Sequence, residues 1–292
     1  MIEPGGPAER FVQLWSVPAP AAPYLPEGVR RIYDGDWWPV RPSDRPYLYV
    51  NFVTSRDGRV SFAEPGANSA GPIAGFSAAD RWLMGLLRAG CDAVLVGDGT
   101  LRAEPEHIWT SAHIYPDDAA AYAALRQLWG LAPQPLQIIL SLDGALDPAA
   151  AIFGRSDLTV LVATTDGGAV RARASLAGSA ATVHVLACGD SRVLLGPLMQ
   201  QLRHDHGVRA LLCEGGPRVY GALLAARLVD DEFLTLSPLM AGEAAGQPRP
   251  SLVEGTAFAP GRTPRAELLA LRRSGEYLFL HSRWHYDALE GP

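Results

Sequence analysis

An α/β fold, with a central, mostly parallel sheet flanked by helices and finished by a C-terminal antiparallel hairpin, is what the sequence predicts. Three observations carry that prediction. Apolar strand-like runs alternate with helix-like runs from Pro46 onward, the last two runs have no helix between them, and several strands stop on glycine-rich turns. Strand-like runs cover 47–54, 92–97, 136–140, 158–163, 182–187, 208–213 and 231–239, and helix-like runs cover 77–89, 118–129, 168–177, 191–206 and 217–227. Strands separated by helices are joined by crossovers, which leave neighbouring strands parallel. The closing runs, 266–273 and 276–285, meet at Gly275 and read as a hairpin.

Ahead of this alternation, residues 1–45 are rich in proline, carry Trp15, Trp37 and Trp38, and show neither a helical nor a strand period. They are expected to form an N-terminal extended arm. Three tryptophans are too much apolar surface to leave in water, so the arm should pack on the body or on a second subunit. Residues 46–288 then form one catalytic domain, with no internal repeat or low-complexity linker.

Composition narrows the chemistry. With 292 residues and 48% hydrophobic content, the chain can bury a sizeable core. A net charge of −6 lacks the basic stripe that nucleic acid requires. No apolar run is long enough to span a membrane, and the N-terminal MIEPGGPAERF lacks the basic and apolar stretches of a signal peptide, so a cytoplasmic location is expected. All 25 basic residues are arginine, so there is no lysine for a Schiff base, for pyridoxal phosphate or for a Walker-type phosphate loop. Cys91, Cys188 and Cys213 are far apart in apolar surroundings and read as buried thiols, with no metal site expected. His204 and His206, before Gly207, read as the last turn of a helix with a glycine cap.

The strand ending at Cys213 stops on Glu214-Gly215-Gly216-Pro217 before an alanine- and leucine-rich helix. Two glycines are expected to allow φ > 0 and to leave no Cβ between the amides and an anion, while Pro217 suits the first helical position. A carboxylate beside an anion site would repel the anion, so Glu214 is expected to face the substrate. Strand 47–54 leads into Thr54-Ser55-Arg56-Asp57-Gly58, a tight polar bend, and strand 92–97 into Gly97-Asp98-Gly99-Thr100-Leu101-Arg102. These turns at the carboxyl ends of strands should share one edge of the sheet, where ligands of such folds bind. Arg102, near the second turn, is a candidate anion contact. His107, Trp109 and His113 are candidates for a loop over the site.

The blocks NFVTSRDGRV, ADRWLMGLLRAGCDAVLVGDGTLRAEP and LLCEGGPRVYGALLAARLVDDEFLTLSPLMAG together resemble the reductase family of riboflavin biosynthesis, the RibD C-terminal or dihydrofolate-reductase-like family, across roughly residues 46–286. The resemblance implies a dihydrofolate-reductase-like fold, a homodimer, and hydride transfer from NADPH to a small heterocycle of pterin or pyrimidine type. It implies that Gly97, Gly99 and Thr100 line the nicotinamide and ribose, that Gly215, Gly216 and Pro217 hold the pyrophosphate, and that Asp57 and Glu104 lie on the cofactor side. Ser141 stands where the family often contacts the adenosine 2′-phosphate. Ser69, Arg81 and Glu214 would face the substrate. Hydride transfer asks mainly that two flat rings be held face to face, so positioning dominates the protein's part.

Two departures bear on the substrate. The riboflavin-pathway reductases carry a lysine where this chain has Asn51, and an arginine within the stretch that here reads EPEHIWTSAHI. Asparagine can hydrogen-bond a ring or a hydroxyl but brings no positive charge to a ribose phosphate. The expectation is therefore a stand-alone reductase of a pterin-like or aminopyrimidine-like ring, with Asn51 and Glu214 nearest the chemistry. The alternatives are the 5-amino-6-(5-phosphoribosylamino)uracil reductase itself, with Arg81 or Arg102 replacing the missing cation, and a non-catalytic nucleotide-binding paralogue. No zinc-deaminase signature is present.

Overall fold

The computed structural model describes residues 4–18 and 22–286. Residues 1–3 and 19–21 of the expected arm, and 287–288 of the expected domain, lie outside the described residues. The chain divides into two compact units. Unit 1 is built from Arg41–Tyr47 and Leu83–Gly216, and unit 2 from described residues of 4–40, Leu48–Trp82 and 217–286.

Unit 1 has a sheet of five parallel strands: β3 (Ala93–Gly97), β4 (Leu136–Leu140), β5 (Thr159–Thr164), β6 (Thr182–Ala187) and β7 (Ala210–Cys213), in the order β7-β3-β4-β5-β6. Strands β3, β4 and β5 are almost wholly buried, which is why they read as continuous apolar runs without alternation. The crossovers contain helices α3 (Asp98–Ala103), α4 (Ser111–Ile114), α5 (Ala119–Leu128), α6 (Asp166–Ser175) and α7 (Leu195–His204). Helix α7 ends as expected: Gly207 takes a φ of +66° just past the two histidines.

Unit 2 carries β1 (Val12–Ser16), β2 (Tyr47–Thr54), β8 (Asp231–Leu236), β9 (Arg265–Ser274) and β10 (Tyr277–His285), in the order β1-β9-β10-β8-β2. Here β2 and β8 are parallel and the other neighbouring pairs antiparallel. The predicted hairpin is β9–β10, turning at Gly275 with a φ of +56°. Helix α2 (Ala78–Ala89) passes from unit 2 into unit 1, and α8 (Pro217–Ala225) opens on the proline that suits its first turn.

The N-terminal segment is more than an extended arm. Residues 12–16 form the edge strand β1 on β9, and Glu27–Tyr33 form helix α1. Of its tryptophans, Trp37 is buried edge-on against Tyr49 and Phe233, whereas Trp15 is half exposed. Arg272 is sealed beneath this segment, its guanidinium 3.8 Å from the centre of the Tyr33 ring and donating to the carbonyls of Asp34 and Asp36. No helix among the described residues is long and apolar enough to cross a membrane.

Candidate functional site

In unit 1 the turns after β7, β3 and β4 lie side by side, because parallel neighbours put their carboxyl ends on one edge about 4.8 Å apart. Gly97 is the extended residue before α3, and Thr100 lies one turn into that helix. A Cβ built on Gly216 would have Thr100 Oγ1 as its neighbour at 3.6 Å, an ordinary contact, and one built on Gly99 would meet nothing within 4 Å. The φ > 0 expected at Gly215 and Gly216 is absent, and Gly97 and Gly99 do not adopt it either. Glycine is therefore not needed there for the backbone. At Gly99 and Gly216 it provides open space, which is what close approach of a phosphate or a ribose uses, whereas Gly97 and Gly215 are buried beneath the turns. Glu104, at the end of α3, takes an ordinary φ of −134° and its N–H closes the helix on the Thr100 carbonyl.

Glu214, expected to face the substrate, turns inward to Arg88. Its side chain is 5% exposed, and both carboxylate oxygens accept from Arg88, whose Nε lies 3.0 and 3.2 Å away and whose Nη2 lies 2.7 Å away. Arg88, at the end of α2, is wholly buried; its Nη1 also donates to the carbonyls of Ile108 and Thr110, and its Nη2 to His107 Nε2 at 3.0 Å. A bidentate guanidinium satisfies a desolvated carboxylate and fixes the residue just before Gly215. Arg88 was not among the residues singled out from the sequence. An arginine inside the apolar run LLRAGC, however, implies a buried acceptor, and that signal was available.

The stretch 107–114 is anchored rather than loose. Trp109 is buried, and its backbone N–H and C=O are both held by the Gln137 carboxamide on β4. Thr110 caps α4 by accepting from the His113 N–H. Burial, the Arg88 charge and the neighbouring His113 together depress the His107 pKa to about 2, so its ring is neutral.

Ser141 does not present a hydroxyl to a phosphate. It is 2% exposed; its Oγ lies 3.0 Å from an Asp98 oxygen and 3.3 Å from an Asp143 oxygen, and accepts from the Gly144 N–H. Two carboxylates on one hydroxyl oppose a second anion. Arg102 is largely exposed and pairs with Asp98 at 3.2 Å.

The remaining candidates lie in unit 2. Asp57 acts on its own loops: its carboxylate accepts from Ser55 Oγ and from the N–H groups of Ala241 and Gly242 at 3.0 and 2.8 Å, tying the turn after β2 to the segment after β8. Those bonds, led by the Ser55 hydroxyl, lower its pKa to about 2. Gly58 does take the left-handed φ, +81°, that the tight bend required. Asn51, on β2, is 8% exposed with its Oδ1 buried and unpartnered, an orphaned polar atom of the kind a ligand or a water completes. Ser69 is half-buried and Arg81 exposed, and Pro217 begins α8.

The open glycines of unit 1 fit a dinucleotide's phosphates and ribose, whereas Ser141 does not fit a 2′-phosphate. Comparison with known proteins agrees with the fold. The profile of the RibD C-terminal domain family matches residues 46–279. A 2,5-diamino-6-ribosylamino-4(3H)-pyrimidinone 5′-phosphate reductase of Archaeoglobus fulgidus is 26% identical over 241 residues, covering 82% of this chain and 99% of the relative. The protein of that name from Methanothermobacter thermautotrophicus is 24% identical over 211 residues, covering 72% and 85%. Among solved structures, a pyrimidine reductase-like protein from Corynebacterium diphtheriae gives a TM-score of 0.63 at 23% identity, covering 84% of this chain and 94% of that one. Acinetobacter baumannii RibD gives 0.57 at 18%, and this chain spans 59% of its length. A match that takes in all the glycine-rich turns and both units leaves one assignment: the chain belongs to the RibD C-terminal domain family.

Proposed function

We propose that this protein is a reductase that transfers hydride from a reduced nicotinamide dinucleotide to an aminopyrimidine-type heterocycle. Its curated relatives are named as reductases of such a ring. The observation that carries the reading is the pair of glycines, Gly99 and Gly216, whose missing Cβ atoms leave room on adjacent turns without any backbone requirement for glycine. Gly97, Gly99 and Thr100 would hold the ribose and nicotinamide side, and Gly215, Gly216 and Pro217 the pyrophosphate. When bound, the dinucleotide supplies the hydride. Thr100 would orient it, Arg88 and Glu214 keep the turn before Gly215 in place, and within unit 2 the unpartnered Asn51 carboxamide oxygen is left to accept from a ligand. Asp57 shapes the loops of unit 2; Glu104 and Arg102 stand beside the glycine-rich turn of unit 1, and Ser69 and Arg81 of unit 2 are the residues that the resemblance implies for the substrate.

NADPH is the cofactor that the resemblance implies. We place residues 46–288 as the reductase domain of a cytoplasmic homodimer, with residues 1–45 as an N-terminal addition. Parallel titration with NADPH and NADH, followed through tryptophan fluorescence, tests the cofactor; absence of binding by either would overturn the reading. Gly99→Val should leave the melting temperature within about 2 °C of the parent, since ordinary surface changes cost under about 0.5 kcal/mol, while weakening dinucleotide binding about tenfold or more.

A further inference from the structure

We propose that His107 contacts the substrate, presenting Nδ1–H as a fixed donor to a carbonyl oxygen of the bound heterocycle; this rests on the reductase reading above. A guanidinium has donors only, so at 3.0 Å from Arg88 Nη2 the His107 Nε2 must be the acceptor and the ring proton must sit on Nδ1. Arg88 cannot turn away, because Glu214 and the carbonyls of Ile108 and Thr110 hold its other donors. Nδ1 itself has no hydrogen-bond partner among the described residues, and the ring is half-buried rather than sealed. The same arginine bonds Glu214, the residue before Gly215. One rigid guanidinium therefore sets both the phosphate-side turn and the direction of a neutral donor.

Two substitutions separate a contact from a support. In His107→Gln the side-chain oxygen can take the place of Nε2 and still accept from Arg88, but nothing replaces Nδ1–H. In His107→Asn the amide stands near Nδ1 and cannot reach Arg88. The expected result is a KM for the aminopyrimidine about tenfold higher in His107→Gln, the scale of one lost hydrogen bond, with dinucleotide Kd and melting temperature unchanged, and partial rescue of KM in His107→Asn. If His107→Gln keeps the parent KM, or if His107→Asn is the worse of the two, the ring serves only Arg88 and the inference is overturned. If the parent itself turns over no aminopyrimidine with either dinucleotide, the reductase reading fails, and this inference falls with it.

Discussion

Each unit buries one arginine–carboxylate–histidine cluster, and the two are wired in opposite order. In unit 1 the arginine is central: Arg88 donates to Glu214 on one side and to His107 on the other. In unit 2 the carboxylate is central: Asp231, with no exposed side-chain area, accepts from His281 Nε2 at 3.1 Å and from Arg283 at 2.7 and 2.9 Å. The order decides the tautomer. His107 must carry its proton on Nδ1, whereas His281 donates from Nε2 and leaves a buried Nδ1 without a partner, its ring stacked 4.2 Å from Phe233. One imidazole is half-buried and keeps a donor without a partner among the described residues; the other is sealed into a core. Similar inventories of residues thus leave a free donor in one unit and an orphaned acceptor in the other.

The largest expected effect breaks the first cluster. Arg88→Met leaves Glu214 buried and unpaired, and should cost about 3–5 kcal/mol in urea unfolding. A loss below about 1 kcal/mol would mean that the carboxylate reaches water, and would remove the contrast with exposed pairs.

A smaller loss is expected from the second cluster. Asp231→Asn keeps an acceptor for His281 and leaves Arg283, whose side chain is 26% exposed, free to hydrate, so roughly 1–3 kcal/mol is expected at neutral pH. The pH dependence sharpens the comparison. Although burial pushes the Asp231 pKa up, its bonds to His281 and Arg283 bring it below the ordinary 3.8. Its contribution is therefore complete above that value and lost as pH falls through and below it. Burial holds the His281 pKa below 6.5 despite Asp231, so protonation of the unfolded chain begins to erode stability from that pH downward. Melting temperatures of the parent should fall gently below about 6.5 and more steeply below about 4, where Asp57 also begins to protonate, and Asp231→Asn should show a shallower second limb.

At the small end, Arg155 and Asp157 form a bidentate pair with both side chains nearly half exposed. Arg155→Ala should change stability by less than about 1 kcal/mol, because water screens the pair. A larger loss there would show that bonding geometry alone, without burial, sets the scale.

Much of this arrangement was legible before any coordinates. Strands 47–54, 136–140 and 182–187 match to the residue, because apolar and β-branched runs bounded by turns leave a plain mark, even in 182–187, an edge strand with no fully buried residue. The turns at Gly97–Thr100 and Gly215–Pro217 were legible as a shared edge because parallel topology puts them there. Strand β1 was missed because four of its five residues are exposed, so no alternation shows, and α1, with seven residues, is too short to display a period. The role of Glu214 was misread for a different reason. Its partner lies 126 residues away, and although the apolar run around Arg88 implies a buried acceptor, nothing local says that the acceptor is Glu214. Ser141 failed likewise, since the carboxylates that claim its hydroxyl include Asp98, 43 residues earlier.

The division of the chain also bears on how the protein is made. Unit 1 is complete once residue 216 has been synthesised. Unit 2 begins first and finishes last: β2 must wait for β8, some 180 residues later, and β1 for β9, later still. At a typical synthesis rate of about 5–20 residues per second, β2 emerges roughly ten to forty seconds before its unit 2 partner exists. During that interval the nascent chain carries an apolar strand with no closed unit 2 sheet to receive it, which makes the opening third of the sequence the part most dependent on chaperones.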